Sequence, residues 1–159
     1  MRKFESKLTI VALLASLAAP ALADPKPSGA KPPDAQALAN LYAGRSETWK
    51  SCKGGVYFGG KWEAQAYCAR DGESVGLGKW SVSRNGKICH QMSWYWPKGD
   101  KTVGSKVEDT KCIAHLVDAQ GTIWRNWEED NDWWRMDVDK KKRFELKGKV
   151  TRLRRKLNV

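Results

Sequence analysis

The residues best suited to chemistry are two histidines that each stand close to cysteines. Cys89 adjoins His90, and Cys112 precedes His115 by three positions, the spacing of half a metal site, so the four could be read as a two-Cys, two-His zinc set. Oxidation competes with that reading. Cys52, Cys68, Cys89 and Cys112 form an even set, which pairs into disulfides wherever the chain meets an oxidising compartment. Neither histidine has a nucleophile or carboxylate arranged around it, and no serine occupies a G-x-S-x-G elbow. The run Glu128-Glu129-Asp130-Asn131-Asp132 is rich in oxygen ligands but lacks the glycine and terminal bidentate Glu of a calcium loop, and reads as a solvated hairpin turn. Catalytic residues, a resident metal and a cofactor are therefore not expected.

Tryptophan supplies a different chemistry, that of stacking. Nine indoles are too many for a chain of 159 residues to be accidental, and most are expected in the core, where large rings contribute much of a small domain's stability. Trp133 and Trp134 cannot both be inside, because neighbouring strand residues point to opposite faces. With Arg135, and with Trp127 beside the acidic run, they are candidates for stacking on a sugar ring or a partner's side chain; His115 completes the set of candidate ligand contacts.

A third chemistry is charge. Ten basic residues but one acid, Glu145, fall between Lys140 and Val159, while residues 24–139 are close to neutral. Lys140, Lys141, Lys142, Arg143, Arg152, Arg154, Arg155 and Lys156 are thus candidate contacts to a polyanion, and the attraction should be local and salt-dependent.

The first residues decide among these options. Arg2, Lys3 and Lys7 precede an apolar run from Leu8 to Ala19, and Ala21-Leu22-Ala23 is a small-residue cleavage pattern, so residues 1–23 read as a cleavable secretory signal with the exported chain starting at Asp24. The apolar run is shorter than the ~20 residues needed to span a bilayer, and no later run resembles it. Asp24 stands where a lipid-anchored chain would need Cys. A periplasmic or secreted location follows as an expectation. In such a compartment the cysteines are expected as two disulfides and not as metal ligands; of the three possible connectivities, Cys52–Cys68 and Cys89–Cys112 are favoured because each pair brackets adjacent elements. The tail's partner is then an anionic envelope surface (lipid, lipopolysaccharide or polysaccharide) or an extracytoplasmic protein, and not nucleic acid.

These groups must be positioned by a small domain. Residues 24–33, DPKPSGAKPP, are too rich in Pro to pack and read as a spacer. Asp34 can cap a helix to Tyr42 with Leu38, Leu41 and Tyr42 in a stripe and Gly44 at its end. Short β-type runs follow, punctuated by turn residues: Val56–Phe58, Lys61–Tyr67 after Gly59-Gly60, Trp80–Ser83 and Ile88–Trp96 around Asn85-Gly86, Cys112–Val117 and Thr122–Trp127 around Gly121, then Trp133–Val138. The pattern predicts a mainly β domain over residues 34–139, an antiparallel meander of about eight short strands curled like a barrel, and a basic tail over 140–159. In the tail, Phe144, Leu146 and Val150 fit a strand while Leu146, Val150, Leu153 and Leu157 fit a helical stripe equally well, and Gly148 weakens the helix; a strand followed by a basic amphipathic helix from about Val150 is expected.

The ordered motifs LYAG (Leu41–Gly44), GGVYF (Gly54–Phe58), GKWSVSRNGKICH (Gly78–His90) and KCIAH (Lys111–His115) together resemble domain-of-unknown-function family 995, small exported proteobacterial proteins of no established activity. The resemblance runs from about Leu41 to Met136. It implies that Cys89, Cys112 and His115 belong to the family pattern, and that Cys52, Cys68 and the basic tail are this chain's additions. The opening G…W also looks like that of small lipocalin-type barrels, an analogy of fold that carries no function.

The function expected from these observations is that of a non-catalytic exported binding protein, associated with the envelope through its tail. The alternatives are an inhibitor or host-directed effector that binds another protein, and a hydrolase acting on glycans, which would need two facing carboxylates in a groove.

Overall fold

Asp34 begins the ordered body: its carboxylate accepts from the Ala37 N–H at 2.9 Å and caps helix α1 (Ala35–Tyr42), whose inward stripe is Leu38, Ala39 and Tyr42. The computed structural model describes residues 25–99, 102–127, 132–136 and 146–159. The expected signal and the start at Asp24 lie outside these residues, as do Glu128–Asn131 and Lys140–Glu145. The Pro-rich stretch, expected to be a spacer, is in fact tied down: Lys31 exchanges backbone hydrogen bonds of 3.0 and 2.8 Å with Val117. Proline removes a donor only at its own position, and leaves Lys31 free to pair.

Nine strands follow among the described residues: β1 (Arg45–Trp49), β2 (Gly54–Phe58), β3 (Glu63–Cys68), β4 (Ser74–Val82), β5 (Lys87–Pro97), β6 (Val103–Val107), β7 (Lys111–Val117), β8 (Ile123–Trp127) and the two-residue β9 (Trp134–Arg135). All pair antiparallel in one meander that curls into a half-barrel. The long β5 has two neighbours on one edge: Lys87–His90 pairs with β7, and Ser93–Pro97 pairs with β6. β1 and β6 were absent from the expected strands, and β4 begins six residues earlier than expected. RSETW is polar, and Gly76, Gly78 and Gly104 weaken strand propensity where they occur.

Those glycines are needed for the curl. A Cβ on Gly78 would lie 1.9 Å from the Gln91 backbone oxygen, and one on Gly54 would lie 1.9 Å from that of Tyr67. The backbones of adjacent strands approach too closely there for any side chain. The turn after β2 is also wider than a two-residue hairpin. Lys61 and Trp62 take left-handed φ values of 54° and 61°, and Trp62 is 50 % exposed.

The concave face is packed by Val56, Phe58, Ala64, Ala66, Trp80, Ile88, Met92 and Met136 under the α1 stripe. Interior indoles satisfy their single donors: Trp80 Nε1–H reaches the Gly59 carbonyl at 2.9 Å, and Trp124 Nε1–H reaches Asp118 at 2.8 Å. The convex face carries a second cluster, in which helix α2 (Lys147–Leu157) lays Val150, Leu153 and Leu157 on Tyr67, Val75, Leu77 and Tyr95. The described part of the basic tail is therefore a helix, one of the two readings its periodicity allows, and it is docked on the sheet. No helix among the described residues is long and apolar enough to cross a membrane.

Gly78→Ala should lower the unfolding free energy by about 1–3 kcal/mol, as overpacking does. Gly60→Ala, where an added Cβ meets nothing within 4 Å, should change it by less than about 0.5 kcal/mol. Urea unfolding followed by far-UV circular dichroism reads both.

Candidate functional site

The half-barrel has one closed and one open end, and the candidate residues divide between them. At the closed end the key groups are Tyr42, Glu47, His115 and Arg125. Register places His115 on β7 directly opposite Arg125 on β8, both facing inward. The Tyr42 hydroxyl lies 2.7 Å from His115 Nε2, and His115 Nδ1 lies 3.0 Å from the Ile113 carbonyl. A carbonyl can only accept, so Nδ1 carries the proton in the neutral ring, and Tyr42 donates to Nε2. Burial, and then the Glu47 carboxylate, push the Tyr42 phenol far above its ordinary range, so it stays a donor. Arg125 donates to Glu47 Oε1 at 2.8 Å. Glu47 is buried on β1, so this ion pair links the first strand of the order to the last but one, which no ladder joins among the described residues.

This geometry reassigns His115. With 1 % of its surface exposed and its ring nitrogens engaged by α1 and its own strand, it ties α1 to β7. His90 differs. It is 4 % exposed, its ring stands 6.4 Å from both Trp49 and Phe58, and neither ring nitrogen has a hydrogen-bond partner among the described residues. Burial lowers its pKa, Lys111 adds to this, and Glu108 and Glu47 oppose it.

At the open end β5 continues its inward row with Trp94 and Trp96. These indoles line a cavity of about 530 Å³ with Cys68, Arg70, Asp71, Glu73, Lys106 and Glu108. Trp94 Nε1–H donates to Glu108 at 2.8 Å, and its ring stands 6.3 Å from that of Trp49. Glu73 accepts from the Tyr67 hydroxyl at 2.6 Å and is paired with Arg152 of α2. Arg152 and then Tyr67 hold the Glu73 carboxyl below its ordinary value, while burial and then Glu73 push Tyr67 up to about 12.

The remaining candidates lie away from this cavity. Trp127 is half-buried on β8, Trp133 is half-buried, and Trp134 is 45 % exposed opposite Arg125, so of the adjacent pair one is largely exposed. Arg135 lies over the Trp124 ring with its guanidinium carbon 5.1 Å from the centroid. Arg152, Arg155 and Lys156 are exposed on α2, and Arg154 is half-buried with its Nε donating to the Val159 carbonyl at 3.2 Å. Lys140, Lys141, Lys142 and Arg143 lie outside the described residues. Trp94, Trp96, Lys106 and Glu108 were missed as site residues. Two tryptophans two positions apart on a strand were the available signal, since that spacing puts both on one face.

Cys89 and Cys112 are directly opposite in register and form a disulfide. The other expected bridge is not formed. Cys52 and Cys68 are brought together as thiols, and burial, followed by the hydrogen bond with Cys68, pushes Cys52 up to about 12. Among the described residues no three His, Cys, Asp or Glu side chains gather as a metal site.

Arg125→Met should cost about 3 kcal/mol, because it strands the buried Glu47 carboxylate. Adding Glu47→Gln should restore most of that loss in the same unfolding assay. His90 sets a pH dependence. The unfolded chain binds a proton at His90 below about pH 6.5 and the folded chain resists it, so stability falls as pH drops through that value, by up to about 1.4 kcal/mol per pH unit. His90→Phe should flatten the urea midpoint between pH 7 and pH 5.

Neither a curated protein nor a solved structure matches this chain. One family model does, and its match spans residues 10–159, well beyond the Leu41–Met136 segment of the motifs. The C-terminal helix and all four cysteines lie within it, so they are not additions outside the family's span. The chain belongs to the family described as protein of unknown function DUF995.

Proposed function

We propose that this chain is a non-catalytic exported binding protein, held at an anionic envelope surface by the cations of α2 and of the segment before it. The observation that carries the reading is the orientation of α2. Its apolar stripe is occupied by Tyr67, Val75, Leu77 and Tyr95, while Lys147, Lys149, Arg152, Arg155 and Lys156 are exposed. Such a helix has no free apolar face to insert. Its attraction to a surface is electrostatic, strong at low salt and screened within about 8–10 Å near physiological ionic strength. Export is supported by the basic-apolar-small order of residues 1–23 and by the Cys89–Cys112 disulfide, which suits an oxidising compartment. That compartment disfavours nucleic acid as the partner.

A second reading, a hydrolase acting on glycans, draws support from the cavity, where indoles and carboxylates stand together. It requires a protonated carboxyl to act as general acid. Arg152 and then Tyr67 hold the Glu73 carboxyl below its ordinary value, which does not suit it to that role.

Sedimentation with vesicles of anionic phospholipid, and separately with lipopolysaccharide, tests the surface reading. The exported chain should sediment at low salt and be released at high salt. Replacing Lys140, Lys141, Lys142, Arg143, Lys147, Arg155 and Lys156 by Gln should abolish sedimentation without changing the circular dichroism spectrum. Equal sedimentation of both chains at low salt would eliminate the reading.

A further inference from the structure

Trp94 and Trp96 each lie across from a residue that has no side chain. Trp94 pairs in register with Gly76 of β4, and Trp96 with Gly104 of β6. A Cβ on Gly76 would come within 3.2 Å of the Trp94 ring, and one on Gly104 would come within 2.4 Å of the Trp96 ring. Both indoles therefore lie down over bare backbone, which no other residue type would permit at the Gly104 position. Trp94 is further fixed by its bond to Glu108. The result is an aromatic wall built from rigid side chains, at the end of the concave face that α1 leaves open.

The carboxylates around this wall are already engaged by donors of the protein. Asp71 is paired with Arg70 at 3.4 Å, Glu73 with Arg152 and Tyr67, and Glu108 accepts from Trp94. Each of these carboxylates has a donor, and Arg70 and Lys106 stand among them, so an organic cation would meet like charges as well as aromatic faces. A strongly anionic ligand would meet three carboxylates against Arg70 and Lys106. The ligand that fits is uncharged, has a flat face of C–H bonds to lie on indoles, and carries a rim of hydroxyls to exchange hydrogen bonds with carboxylates, guanidinium and ammonium. A saccharide has all three properties. The cavity's 530 Å³ lies within the ~300–1,000 Å³ of ordinary ligand pockets.

We propose that this cavity is a saccharide-binding site, with Trp94 and Trp96 as stacking platforms and Arg70, Asp71, Lys106 and Glu108 as partners for ring hydroxyls. The inference rests on reading the chain as a binding protein, but not on its attachment through α2.

The test is a titration of the exported chain in solution with cellotetraose, chitotetraose and maltotetraose, and with choline as an organic cation, followed by nuclear magnetic resonance of the indole N–H groups. At least one of the saccharides should shift the Trp94 and Trp96 signals saturably, leave that of Trp134 in place, and bind about tenfold more weakly to Trp96→Ala, the loss expected for removing one stacking ring. Trp134→Ala should bind as the unaltered chain does. Because the mapping of shifts uses the unaltered chain, it decides the matter even where Trp96→Ala does not fold. No indole shift with any of the three saccharides at millimolar concentration would overturn the proposal, as would choline acting in their place or full affinity in Trp96→Ala. Recovery of the bound saccharide in cleaved form would uphold the site and overturn the non-catalytic reading, whereas loss of vesicle binding alone would leave the site standing.

Discussion

The ion pair between Glu47 and Arg125 joins two strands 78 residues apart in the chain that share no ladder among the described residues. A sheet that curls without closing leaves its first and last strands free to splay, because each lacks a neighbour on one side. Here a side-chain bridge takes the place of the missing hydrogen-bond ladder. Arg125 stands opposite His115, His115 accepts from Tyr42, and Tyr42 ends the helix that covers Phe58, Ile88 and Trp80. The four residues act as one buried unit, and a buried charge in such a unit is costly to strand. With this unit filling one part of the concave face, the cavity lined by Trp94 and Trp96 lies at another.

The two faces of the sheet then take different tasks. The concave face passes along β5 from Ile88 through His90 and Met92 to Trp94 and Trp96, from sealed core to open cavity. The convex face is given to α2, whose apolar residues are used on the sheet and whose cations remain outside. Glu73 is where the two meet: it lines the cavity and is held by Tyr67 of the sheet and Arg152 of the helix. The helix is thereby tied to one wall of the site as well as to the outer face.

Much of the fold was legible where one residue type dominates the local physics. Asp34 before an apolar stripe marked α1, Asn85-Gly86 marked the hairpin joining β4 and β5, and Cys89 with Cys112 marked a bridge that register places directly across adjacent strands. Strands β1 and β6 were not legible, since RSETW and VGSKV owe their conformation to neighbours that supply the missing hydrogen bonds. Glycine was misleading in a particular way. Gly76, Gly78 and Gly104 argued against strand locally, yet they sit in strands because another backbone or an indole occupies the space of their side chains. The surroundings of His115 were not legible for a related reason: only the arrival of Tyr42 from 73 residues earlier gives its Nε2 a partner.

The amino-acid sequence by itself determined the β meander, its two flanking helices, the basic character of the last of them, and the family. The elements follow from periodicity, turn chemistry and charge, all of which act over a few residues, and the family from the ordered motifs. Tertiary structure alone decided which indoles form the core and which line a cavity, which face of α2 is used, and which of the two histidines is latched. Each of those depends on contacts between strands far apart in the chain, and no local pattern encodes which side of a curled sheet another element will cover.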